Sequence, residues 1–154
     1  MKVYRFMSED ELKMYFNGKC AEIGSIFSHY TGKRFNNFKY KKGMKYVHFF
    51  KRLKDVYRIK HEMCEQELKS NKRYFIGCFD IPKTLLSYCK GKGRYVITKD
   101  DNTKSEIYVQ EYAVPASCME EEYLVYFKRE EYDDDLHWKV DEMEKEDESW
   151  LREK

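Results

Sequence analysis

The sequence predicts an α+β domain in which a mainly antiparallel sheet is flanked by helices. In the first half of the chain, apolar runs of strand length alternate with segments of helical periodicity. In the second half, three strand-like runs follow one another between residues 94 and 127 with only short connections, which favours antiparallel pairing. We expect one domain over residues 1–128 and an acidic C-terminal helix over residues 129–154, packed on the domain or extending from it.

The first two elements carry the strongest local signals. Ser8 followed three residues later by Glu11 is a capping box, in which each side chain reaches the other residue's backbone amide. Gly18 is the expected C-terminal stop of the same helix. These signals predict a strand at 2–7 and a helix at 9–17.

The remaining elements are predicted from apolar pattern and turn residues. Residues 19–43 are polar, basic and aromatic, and we expect a long loop with a short extended piece. "GKGRY" at 91–95 has either a turn role or a phosphate-binding role, and its place after a helix favours the turn. Strands are predicted at 44–50, 73–81, 94–97, 106–114 and 123–127, and helices at 51–68 and after Pro82.

Two charged residues stand inside apolar strand patterns. Arg5 is at the centre of "VYRFM", where it either lies on the solvent side of an edge strand or points into a cleft and binds an anion. Glu111 lies in "YVQEYAV" on the same strand face as Val109 and Ala113. A carboxylate on such a face is costly unless it meets solvent or a partner, so Glu111 marks either an open strand end or a cleft.

Charge is divided unevenly along the chain. Residues 1–99 carry a balance of +14 and residues 100–154 a balance of −12, although the whole chain is only +2. The basic part offers a surface for phosphates, and its aromatic residues permit a nucleic-acid hypothesis. Alternatively, the acidic end neutralises the basic body within the fold.

Several classes of protein are not indicated by the composition. The five cysteines form no C-x-x-C pair, so we expect neither a metal site nor a disulfide framework. No apolar run reaches 18 residues, and the N-terminus lacks a signal-peptide pattern. We therefore expect a cytoplasmic protein without a membrane partner.

A set of short motifs resembles the ADP-ribosyltransferase-like proteins of bacteria and phages. The motifs are "YRFMSEDELKMYFNG", "YVHFF", "YFIGCFDIP", "GKGRY" and "QEYAVP", and they keep the family's order over residues 3–116. The resemblance implies a split sheet whose cleft binds nicotinamide adenine dinucleotide (NAD) as a substrate. It also implies transfer of ADP-ribose to a macromolecular acceptor, either a protein or a nucleic acid.

The resemblance also assigns roles to individual residues. Arg5 matches the first-strand arginine that holds a phosphate or ribose of NAD, and His48 falls at the second-strand site position. Glu111 matches the acidic residue that binds the nicotinamide ribose and stabilises the oxocarbenium-like state. The rings expected to shape the nicotinamide pocket are Tyr46, Phe49 and Phe50.

Two features of the sequence limit the function that the resemblance implies. Val109 stands where arginine-modifying members carry a second Glu or Gln, and no Ser-Thr-Ser triplet is present, so the acceptor is not expected to be an arginine side chain. The alternative function is a non-catalytic phage or bacterial inhibitor of a host defence protein, similar to an anti-CRISPR protein. Such an inhibitor would bind through its charged surfaces. A small RNA-binding protein is a third alternative.

Overall fold

The computed structural model describes residues 1–26, 41, 43–56, 74–98 and 102–130. Short 3₁₀ turns at Cys20–Glu22, Ala116–Cys118 and Glu121–Tyr123 connect the main elements, and a helical turn is present at 53–56. The strands are β1 (Lys2–Ser8), β2 (Ser25–Ile26), β3 (Lys45–Phe50), β4 (Tyr74–Asp80), β5 (Lys90–Thr98), β6 (Lys104–Pro115) and β7 (Leu124–Glu130). The helices are α1 (Glu9–Phe16) and α2 (Lys83–Cys89).

The predicted β1–α1 unit is confirmed, with one exception in the capping box. The Ser8 hydroxyl accepts a hydrogen bond from the Glu11 amide at 3.2 Å, and Gly18 adopts a φ of 70° just after the helix. The Lys19 amide then donates to the Met14 carbonyl at 3.0 Å, which completes a Schellman-type end. The Glu11 carboxylate does not close the box; it binds Arg5 instead.

The described strands form one antiparallel sheet, which confirms the α+β class. Its strand order is β5-β6-β3-β1-β4-β7, and β2 pairs separately with β3. The apolar run predicted at 73–81 corresponds to β4, which lies between β1 and β7 with its residues from Tyr74 to Phe79 buried. Continuous burial on both faces explains why this strand has no polar alternation.

The pairing between strands is shortest at the junction between β1 and β3. Seven residue pairs register β1 against β4, and five register β3 against β6. Only Tyr4 and Phe50 register across the β1–β3 junction, although all residues of both strands are described. The two halves of the sheet are therefore continuous but joined by a single registered pair.

The main apolar core lies between α1 and one face of the sheet. Val3 and Met7 of β1 point to this face and pack with residues of α1 and β4. Phe49 and Phe79 meet edge to face with ring centroids 5.0 Å apart. The α1 side chains in this core are Leu12, Tyr15 and Phe16.

One local prediction was wrong, and others lie outside the described residues. "GKGRY" is neither a turn nor a phosphate loop, because β5 begins at Lys90 and pairs with β6 over nine positions. Cross-strand pairing therefore overrides the local turn signal of the two glycines.

Three predictions lie outside the described residues. They are the continuation of the helix beyond residue 56, most of the loop at 19–43, and the acidic C-terminal helix from 131 onward. In the part of the chain that is described, no helix is long and apolar enough to cross a membrane.

Candidate functional site

Arg5 lies at the β1–β3 junction and points toward α1. Strand alternation places it on the same face as Val3 and Met7, which belong to the core under α1. Its Nε and Nη2 atoms donate to the two carboxylate oxygens of Glu11, at 2.9 and 2.6 Å. Its Nη1 donates to the His48 backbone carbonyl at 3.0 Å, which ties β1 to β3 beside their single registered pair.

The environment of Arg5 strongly favours its charged form. Burial alone would lower the pKa of Arg5, but the charge and hydrogen bonds of Glu11 outweigh that effect. Tyr15 and Glu111 act in the same direction as Glu11, so the pKa of Arg5 lies above its ordinary value. The side chains of Arg5 and Glu11 are 20% and 16% exposed, so the pair is largely but not completely buried.

Tyr15 completes this cluster from the next turn of α1. Its side chain is fully buried, and its hydroxyl lies beside the Arg5 guanidinium but forms no well-aligned hydrogen bond with any described residue. Burial, followed by the charge of Glu11, raises the pKa of Tyr15 well above its usual value, while Arg5 acts in the opposite direction. The cluster of Arg5, Glu11 and Tyr15 is thus a charged pair with one neutral hydroxyl packed beside it.

Glu111 and His48 lie on the other face of the sheet. Phe50 is registered with Glu111 and His48 with Ala113, so these side chains share the face of Tyr4. Glu111 is 0% exposed and His48 is 6% exposed, which makes them two of the three buried polar or charged residues in the described chain. The carboxylate and the imidazole are diagonal neighbours on adjacent strands.

The three aromatic residues predicted on β3 divide between the two faces. Tyr46 and Phe50 alternate with His48 and share the face of Glu111, and both are buried. The Tyr46 hydroxyl accepts a hydrogen bond from the Lys41 amide at 3.0 Å. Phe49 points to the α1 side and belongs to the apolar core, so the structure separates it from the other two rings.

The predicted residues therefore lie close to one junction, but they are divided between the two faces of the sheet. His48, Phe50 and Glu111 meet on one face, while Arg5 reaches the same strand from the other face through the His48 carbonyl. The charge of Glu111 still acts on Arg5. Glu11 was not predicted as a site residue, although its place in the first turn of the helix that directly follows β1 was a usable signal.

The chemistry of this junction combines an oriented guanidinium with a buried carboxylate. A guanidinium suits phosphate oxygens, and a buried carboxylate suits developing positive charge, since both act more strongly where water is excluded. Within the described ranges, no three His, Cys, Asp or Glu side chains are close enough to hold a metal ion. Comparison of the chain with protein-family models, curated proteins and solved structures gave no match.

Proposed function

We propose that this protein is ADP-ribosyltransferase-like and binds NAD at the β1–β3 junction. The observation that carries the proposal is the single Tyr4–Phe50 pair. Arg5 lies beside it on β1, and the buried Glu111 lies opposite Phe50 on β6, one strand further along the sheet and on the other face. Because β1 and β3 are joined by only one registered pair, their pairing is the weakest in the sheet, and it lies next to Arg5 and one strand away from Glu111. That position is the one that the resemblance assigns to the NAD cleft.

Arg5 suits a role in holding a phosphate of NAD. A guanidinium has five N–H donors, and three of them are used by Glu11 and the His48 carbonyl. Two N–H groups, one on Nη1 and one on Nη2, are left for a further oxygen acceptor. The Arg5 side chain is 20% exposed, so it is not completely enclosed by the fold.

Glu111 suits a role in stabilising the departure of nicotinamide. In the reaction, the bond between the nicotinamide nitrogen and ribose C1′ breaks, and nicotinamide leaves with the electron pair. Positive charge develops at C1′ and the ring oxygen, and a buried carboxylate stabilises it. The acceptor then forms a bond to C1′ and loses a proton. We propose a protein or a nucleic acid as this acceptor.

The test is nicotinamide release from NAD by the purified protein, with and without candidate acceptors. Glu111→Gln removes the negative charge and should lower the rate by about 100-fold. Glu106→Gln is the matched control, since Glu106 is on the same strand but exposed, and it should leave the rate unchanged. Equal rates in the two variants would show that Glu111 is not the catalytic carboxylate.

The engagement of three Arg5 donors by Glu11 and the His48 carbonyl supports a second candidate function. If the Arg5–Glu11 pair serves only to fasten α1 to β1, the protein is a non-catalytic inhibitor that binds a host defence protein. In that case the wild type, Glu111→Gln and Glu106→Gln would all fail to release nicotinamide. Retrieval of a host protein partner by the wild type, unaffected by Glu111→Gln, would then favour the inhibitor.

A further inference from the structure

The orientation of Arg5 is fixed by three hydrogen bonds to Glu11 and the His48 carbonyl. The Glu11 carboxylate grips the guanidinium through two parallel hydrogen bonds, an arrangement that sets its plane as well as its position. Glu11 is itself anchored, because its amide donates to the Ser8 hydroxyl at the start of α1. The first turn of α1 therefore restricts the Arg5 side chain to one rotamer.

The position opposite Arg5 on the neighbouring strand is occupied by a glycine, and Met7 packs over it. Gly77 of β4 is registered directly across from Arg5 and has no side chain. A Cβ at Gly77 would collide with Met7 Cε and would lie 2.8 Å from Phe79 Cε2. The space beside Arg5 is thus already filled by Met7, and Arg5 is directed away from β4, toward Glu11 and the β1–β3 junction.

We propose that Glu11 is a positioning residue, which acts through Arg5 on the binding of the NAD diphosphate. By occupying Nε and Nη2, Glu11 holds the guanidinium so that its two remaining N–H groups stay available for a phosphate oxygen at the junction. Preorganisation of this kind reduces the entropy lost when the ligand binds. The inference rests on the proposed function and adds to it a residue that the motifs do not assign.

The alternative role for Glu11 is competition. Its negative charge lies beside the guanidinium, and a carboxylate that had to be displaced by phosphate would weaken binding. The geometry favours positioning, because the two hydrogen bonds lie on one edge of the guanidinium and leave donors on both terminal nitrogens. The two roles predict opposite effects of removing the charge.

The experiment is calorimetric titration of the full chain with NAD. Glu11→Gln should weaken NAD binding by about tenfold, with loss of one charge-assisted contact. Asp10→Asn is the matched control: it removes an exposed carboxylate from the same helical turn and should change the affinity by less than about twofold. Glu11→Asp keeps the charge with a shorter reach and should fall between wild type and Glu11→Gln.

A double-mutant cycle separates positioning from general stability. Arg5→Lys removes the planar fork, so Glu11→Gln should have little further effect on affinity in the Arg5→Lys background. An equal loss in both backgrounds, or unchanged NAD affinity in Glu11→Gln despite a lower melting temperature, would overturn the inference alone. Tighter binding by Glu11→Gln would establish competition and also overturn it. Absence of NAD binding by the wild type would remove the proposed function and this inference together.

Discussion

At the scale of single residues, the Arg5–Glu11 pair explains why a charge stands in an apolar strand. The anion that Arg5 meets in the structure is a carboxylate of its own chain, three residues into the following helix. Arg5 and Glu111 were recognisable in the sequence because each interrupts an apolar pattern. The pairing with Glu11 was not predicted, since the capping box offered that carboxylate another partner.

The stability of the protein should depend on this pair as a unit. Arg5→Ala leaves a largely buried carboxylate without its cation, and we expect a loss of about 2 kcal/mol in the free energy of unfolding. Arg5→Ala/Glu11→Ala should recover part of that loss, because no charge is then left unpaired. Urea unfolding of the three proteins measures both values. A double variant less stable than Arg5→Ala would contradict the predicted coupling.

Tyr15 should make the protein sensitive to alkaline pH. Its pKa is raised in the folded state by burial and then by Glu11. Unfolding therefore lowers this pKa toward about 10, and the stability contributed by the neutral hydroxyl is complete below that pH and is lost as the pH rises above it.

The matching variant is Tyr15→Phe. Because the buried hydroxyl forms no well-aligned hydrogen bond with any described residue, its removal should change stability at pH 7 by less than about 1 kcal/mol. It should also flatten the fall in melting temperature between about pH 9 and 11. Tyr126→Phe, at an exposed ring, is the control and should keep the wild-type profile. A Tyr15→Phe profile as steep as wild type would refute this explanation.

At the scale of secondary-structure elements, two glycines with positive φ offer a direct comparison. Gly18 ends α1 at a φ of 70°, and a Cβ there would meet nothing within 4 Å. Gly24 has a φ of 98°, and its Cβ would collide with the Tyr46 carbonyl oxygen and lie 2.8 Å from the carbonyl carbon. The first site carries only backbone strain, while the second combines strain with a clash against β3.

Substitution by alanine should separate these two effects. Gly18→Ala should cost about 1 kcal/mol in unfolding free energy, the usual penalty for a non-glycine residue in this conformation. Gly24→Ala should cost about 3 kcal/mol, since β2 or β3 must also move. Thermal unfolding of both variants provides the comparison, and equal losses would show that the contact with Tyr46 relaxes freely.

The elements differed in how far they could be predicted. The β1–α1 unit was predictable because its signals are local: a hydroxyl cap, an acidic first turn and a terminal glycine. β5 was shortened in the prediction because "KGKG" has a local turn signal that pairing with β6 overrides. Strict alternation along β3 already places Phe49 on the face opposite His48 and Phe50, so its position in the core under α1 was predictable from the sequence.

At the scale of the whole molecule, the strand order is the feature that the sequence could not reveal. Placing β3 next to β1, and β6 next to β3, depends on contacts between residues that are more than 40 positions apart. Only this order brings Arg5, His48 and Glu111 to one junction, and only the Tyr4–Phe50 register shows that they approach it from two faces. Antiparallel character was predictable, because short connections between consecutive strands require it.

Titration with NAD by calorimetry tests the central claim of an NAD site at this junction most directly. The proteins to compare are the wild type and Arg5→Ala/Glu11→Ala, because the double variant removes the guanidinium without leaving an unpaired carboxylate. We expect the wild type to bind NAD and the folded double variant to lose at least about tenfold in affinity. Equal binding by the two proteins would place NAD elsewhere, and no binding by the wild type would contradict the NAD site altogether.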